Sequence, residues 1–181
     1  MPAMRNQNTI MKITFILFLA LGSLSITNAQ KKDISKKSIQ QQLVGAWSLV
    51  AVDNIYPDSS RVQPYGDHPQ GMLVFDAQGN YAVQILKADR PKVLSGDKNK
   101  CTPEEYAALV QGSNSHFGSY TIDEATHTIT FFIEHASFPN WEGTQQKRLY
   151  TYTDDGLKYV VTNTTQGGQS VVAEVAWKRK K

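Results

Sequence analysis

Cysteine is nearly missing. Of 181 residues only Cys101 is one, so no disulfide can form within the chain and stability has to come from a packed core. Metal-binding patterns are missing as well: His68, His116, His127 and His135 have no histidine two or four positions away and no cysteine beside them, and no metal is expected. The chain lacks a Gly-x-Ser-x-Gly elbow, a phosphate-cradling glycine loop and a dinucleotide fingerprint, which removes the common hydrolase and nucleotide-binding signatures. No cofactor is expected. Ser137 and Ser170 have no acid and base close in sequence, and Cys101, ahead of a helix start, has no partner that would make it a nucleophile. Internal repeats and low-complexity tracts are also wanting. What remains, 40% hydrophobic and 19% charged residues, is a globular composition.

One long apolar run exists, Ile13 to Ile26, preceded by Lys12 and followed by Thr27-Asn28-Ala29. It is short for a membrane span, and its small residues stand where a signal peptidase cuts. A signal peptide over residues 1–29 follows, with cleavage after Ala29; Met1, Met4 and Met11 are all open as the start, and the signal is complete if translation begins at Met11. The expected product is soluble and either periplasmic or extracellular, without stable membrane insertion. Residues 30–38 read as a flexible polar leader and 39–181 as one domain. Removal of the signal leaves 17 Lys and Arg against 16 Asp and Glu, and the basic excess sits at the ends. The Lys178 to Lys181 tail reads as a solvated terminus, and the net acidic body offers no basic face for nucleic acid.

From Gly45 onward the hydrophobic pattern has the period of strands. Eight are expected near 46–56, 70–76, 80–87, 116–123, 127–135, 145–153, 157–164 and 169–178, separated by Asp-, Asn- and Gly-bearing turns such as Asp154-Asp155-Gly156. Thr102-Pro103-Glu104-Glu105 opens the one short helix, placed between strands 3 and 4, where Thr102 caps and the two glutamates meet the helix dipole. Eight antiparallel strands with few edge-protecting devices favour closure into an up-and-down β-barrel, a size that holds one small ligand.

Several residues in order carry a resemblance. They are Gly45-Ala46-Trp47, Gly71 to Asp76 with Gly79, Arg90-Pro91, Glu104-Glu105, Phe117-Gly118-Ser119-Tyr120, Ser137-Phe138-Pro139-Asn140-Trp141-Glu142-Gly143 with Arg148, and Ala176-Trp177-Lys178-Arg179. Over about residues 40 to 179 the chain resembles the bacterial and fungal lipocalin-like proteins, which implies a calycin-type β-barrel and small-molecule binding or an accessory role. The resemblance carries no shared catalytic motif. One departure is Phe131-Phe132, where the family's strand is more polar and often bears a histidine; no site relying on that histidine is carried over.

Alternate residues of a barrel strand face the lumen. With Gln84, Lys147, Lys158 and Glu174 outward, the inward set holds Tyr81, Val83 and Ile85, then Arg148, Tyr150 and Tyr152, then Leu157, Tyr159 and Val161, and Val171, Ala173, Val175 and Trp177. Ile129, Phe131, Ile133 and His135 join from another strand, as does Tyr120. Apolar walls with a few polar groups suit a ligand. The binding candidates are Tyr81, Arg90, Tyr120, Phe131, His135, Trp141, Arg148, Tyr150 and Tyr159. Arg148 needs a partner: either Glu142 at the rim, an aromatic face such as Trp47 or Trp141, or a ligand carboxylate. Trp47 and Trp177 read as plugs of the barrel end, and segment 88–115 is long enough to form a lid.

Three functions fit this pattern. The first is an exported binder or carrier of a small, largely apolar molecule, carboxylate-bearing if Arg148 has no internal counter-charge. The second is an isomerase or cyclase in the same cavity, with His135 as base, Arg148 as clamp and a tyrosine as acid. The third is an interaction protein whose barrel is filled by side chains.

Overall fold

The computed structural model describes residues 37–181; the signal peptide and most of the polar leader expected from the sequence lie outside them. A short helix α1 (Ile39–Leu43) leads into β1 (Gly45–Ile55), a two-residue strand β2 (Arg61–Val62), β3 (Gln70–Phe75) and β4 (Asn80–Leu86). After helix α2 (Pro103–Gln111) come β5 (Ser113–Asp123), β6 (Thr128–Ala136), β7 (Gln145–Tyr152), β8 (Gly156–Gln166) and β9 (Gln169–Arg179). From β3 to β9 every strand pairs with its sequence neighbour, and β1 pairs with both β3 and β9. The eight strands therefore close an antiparallel barrel, and β2 is an appendage on the end of β1, opposite Asn54 and Ile55.

That appendage corrects the helix position. α2 lies between β4 and β5, not between strands 3 and 4, because Arg61-Val62 forms a strand too short to leave a hydrophobic alternation in the sequence. The capping chemistry is as the residues dictate: the Thr102 side chain accepts from the Glu105 backbone N–H while the Glu105 carboxylate takes the Thr102 N–H at 2.8 Å. None of the described helices is long and apolar enough to cross a membrane.

One end of the barrel is sealed. The Trp47 ring is fully buried, its Nε1–H donates to the Leu43 carbonyl at 2.9 Å, and the Arg179 guanidinium lies over its face at 4.1 Å. Arg179 also donates to the carbonyls of Gln42, Val44 and Asp154 and to the Tyr152 hydroxyl, so every edge of this cation is occupied and α1 is tied across the barrel base. Trp177 is buried next to Tyr159. Phe75, Tyr81, Tyr120, Phe131 and Tyr159 fill the interior above this floor, in ring contacts with centroids 4.5 to 6.2 Å apart.

An irregularity between β5 and β6 decides which histidine enters the lumen. Phe117 pairs with His135 and Gly118 with Ile133, so Glu134 is an extra residue on β6. Such a bulge shifts the alternation by one: Ile129, Phe131 and Ile133 point inward, whereas Glu134 and His135 both point out. Gly118 sits against the Phe132 carbonyl oxygen and the Glu134 N–H, with no room for a Cβ.

Candidate functional site

Above the aromatic floor the barrel opens into a cavity of about 1100 Å³. Its walls include Val52, Val83, Ile85, Val161 and Val175, and its polar groups come from Asn114, His116, Gln146 and Arg148. Tyr65, Arg90 and Trp141 border it from the connecting segments. The lumen is thus half filled rather than filled from end to end, and the space is of the size that small-molecule sites have.

The polar heart of the cavity is one row of contacts. Arg148 is only 7% exposed, with its guanidinium packed against the rings of Phe131 at 4.6 Å and Tyr159 at 4.7 Å, which stand at 63° to each other. Nη2 donates to Gln146 Oε1 at 2.7 Å and stands 3.4 Å from His116 Nε2. Nδ1 of the same imidazole is 2.7 Å from the Tyr81 hydroxyl. A guanidinium has donors only, so Nε2 is the acceptor, the proton resides on Nδ1, and Nδ1–H donates to Tyr81 Oη. Burial, reinforced by the Arg148 charge, pushes the His116 pKa down to about 3, so the ring is neutral. Burial likewise raises the Tyr81 phenol well above its ordinary value, with Arg148 pulling in the opposite direction.

Arg148 is a cation without an anion. Among the described residues no carboxylate comes within ion-pair distance of it, and its Nε has no hydrogen-bond partner. Glu142, a candidate partner on sequence grounds, faces His135 at 3.5 Å instead. The two aromatic faces and one neutral amide offset part of the desolvation, but a buried charge ordinarily requires an opposite one. The surroundings are also positive: Lys87, Arg90, Lys147 and Arg148 border the cavity against Asp89 alone, which draws anions toward it.

Residues 44–180 match the lipocalin-like domain family. The chain belongs to that family. No curated protein matches it.

Within this lipocalin-like barrel the candidates divide into four groups. Phe131 and Tyr159 touch the Arg148 guanidinium and Tyr81 reaches it through His116, all facing inward as the alternation implied, although of these four only Arg148 and Tyr159 border the cavity. Trp141 comes in on a 3-10 turn, its ring 6.0 Å from that of His116, and Arg90 lies at the rim with Nε donating to the Lys87 carbonyl at 2.9 Å. Tyr120 and Tyr150 are buried but do not border the cavity; Tyr120 stacks on Phe75 at 4.5 Å and reaches the Asp76 carbonyl, and Tyr150 lies against His127. His135 does not face the lumen: its side chain is 66% exposed on the outer wall, beside Phe117, because the Glu134 bulge reverses its phase.

The sequence reading missed His116, Gln146 and Asn114. For His116 a signal existed, since it stands four residues before Tyr120 on the same strand and therefore on the same face. Gln146 precedes Arg148 by two positions on β7 and shares its face for the same reason. Among the described residues no three His, Cys, Asp or Glu side chains converge to hold a metal ion.

The neutral state of His116 makes stability depend on pH. Its folded pKa of about 3 lies below the value of about 6.5 for a free histidine, so between these limits the unfolded chain binds the extra proton. Stability is then complete above about pH 6.5 and falls on acidification by up to about 1.4 kcal/mol per pH unit. Denaturant unfolding of the wild type between about pH 7 and 5 is expected to show this slope, and His116→Asn is expected to flatten it. Equal slopes in both proteins would contradict the assignment.

Proposed function

We propose that this protein is an exported binder or carrier of a small, largely apolar molecule bearing a carboxylate, with the ligand inside the barrel and its anionic group on Arg148. The observation that carries the reading is the buried, unpaired guanidinium at the base of a cavity whose other walls are aliphatic and aromatic. A carboxylate supplies the missing charge through short, charge-assisted hydrogen bonds, and the aliphatic wall contributes affinity through burial. Phe131 and Tyr159 pack against the guanidinium, and Tyr81 orients His116 beside it, so these four side chains act as its support. Trp141 and Arg90 border the entrance. Export rests on the Ile13 to Ile26 apolar run and the Thr27-Asn28-Ala29 site.

An isomerase or cyclase reading keeps one point in its favour, a histidine hydrogen-bonded to a tyrosine in the lumen, with His116 in the place expected for His135. The environment works against it. A base whose conjugate acid has a pKa near 3 is a weak proton acceptor at neutral pH.

Native mass spectrometry of protein purified from its source compartment is expected to show a co-purifying carboxylic acid. Arg148→Met, which keeps the side-chain volume and removes the charge, is expected to lose that adduct and to bind dodecanoate at least about tenfold more weakly in titration calorimetry. Unchanged dodecanoate affinity in Arg148→Met would contradict the site. N-terminal sequencing of the mature protein is expected to begin at Gln30; a chain that retains Met11 would contradict export by this signal.

A further inference from the structure

Four buried side-chain polar atoms among the described residues have no hydrogen-bond partner: Asn114 Oδ1, Arg148 Nε, Tyr150 Oη and Trp177 Nε1. Only Asn114 and Arg148 border the cavity. Their needs are opposite, because Arg148 lacks an acceptor and Asn114 lacks a donor. The Asn114 side chain borders the cavity beside Tyr65, and its Oδ1 is buried without a partner. The carbonyl oxygen is left as the free group.

Resting on the reading that Arg148 takes a carboxylate, we propose that the ligand is a hydroxylated carboxylic acid whose hydroxyl donates to Asn114 Oδ1. The spacing comes from the strand. Asn114 and His116 are successive inward residues of β5, about 7 Å apart, and Arg148 Nη2 lies beside His116, so carboxylate and hydroxyl carbons are separated by about five carbon–carbon bonds of an extended chain. Val83, Ile85 and Val175 give the intervening methylenes an apolar wall. The donor is neutral: Lys87, Arg90, Lys147 and Arg148 surround the cavity against one aspartate, a field that opposes an ammonium group. Such a site is selective, because an analogue lacking the hydroxyl leaves the Asn114 carbonyl desolvated and unpaired.

Titration calorimetry with dodecanoate, 6-hydroxydodecanoate and 6-oxododecanoate tests the assignment, since the ketone is the same size and can only accept. The wild type is expected to bind the hydroxy acid at least about tenfold more tightly than the other two. Moving the hydroxyl to carbon 3 or carbon 10 is expected to lose the gain. Asn114→Leu is expected to erase the preference while still binding dodecanoate, and Asn114→Gln, which keeps a neutral carbonyl acceptor, is expected to retain a preference for the hydroxy acid even if the leucine variant fails to fold. Equal affinity for the three acids, a preference for the ketone, or a preference that survives in Asn114→Leu would overturn the proposal and leave the carboxylate site standing. If no acid binds, or Arg148→Met binds dodecanoate as the wild type does, the underlying reading falls and this proposal with it.

Discussion

A positive charge held away from water must be answered by a negative one or by unusually good hydrogen bonds, and the half-buried Arg179 and the buried Arg148 answer that demand differently. Arg179 lies on Trp47 and donates to three carbonyls and a hydroxyl. It is a finished structural clasp. Arg148 packs against Phe131 and Tyr159, donates to one neutral amide, and keeps an unpartnered Nε. The first cation closes the barrel; the second leaves an unmet requirement in the lumen, and the functional account follows from it.

Everything near Arg148 conforms to that charge. His116 stays neutral because burial and the guanidinium both oppose its protonation, which frees Nε2 to face the cation and sends its proton toward Tyr81. The Phe131 and Tyr159 rings, set at 63° to each other, pack against the guanidinium and Gln146 holds its Nη2, so part of its position is set before any ligand arrives, which limits the ordering cost on binding. The sealed floor matters too. With Trp47, Phe75 and Tyr120 packed solid, water reaches this site only from the open end, and electrostatic attraction in the cavity is screened less than on the surface.

Much of this was legible in the residues because strand alternation is a strong signal wherever it runs unbroken. Tyr81-Val83-Ile85, Arg148-Tyr150 and Leu157-Tyr159 all face inward as read, and the Thr102 to Glu105 cap stands where its chemistry places it. Failures occur where the period breaks. The Glu134 bulge moves His135 to the outer wall, and its cause, the close approach of Gly118 to the Phe132 carbonyl, is a contact between strands that no single-strand pattern reveals. Inwardness also does not say how far along the barrel a residue sits, which is why Tyr120 and Tyr150 prove to be packing below the cavity rather than its wall. The strand Arg61-Val62 was invisible because two residues carry no period.

If the missing negative charge is the reason for a ligand, supplying it from the protein should remove the need for one. Gln146 already touches Arg148 at 2.7 Å, so Gln146→Glu places a carboxylate there without a change of shape. The account predicts that this variant melts at a higher temperature than the wild type and no longer binds dodecanoate. An unchanged melting temperature together with full dodecanoate affinity would contradict it.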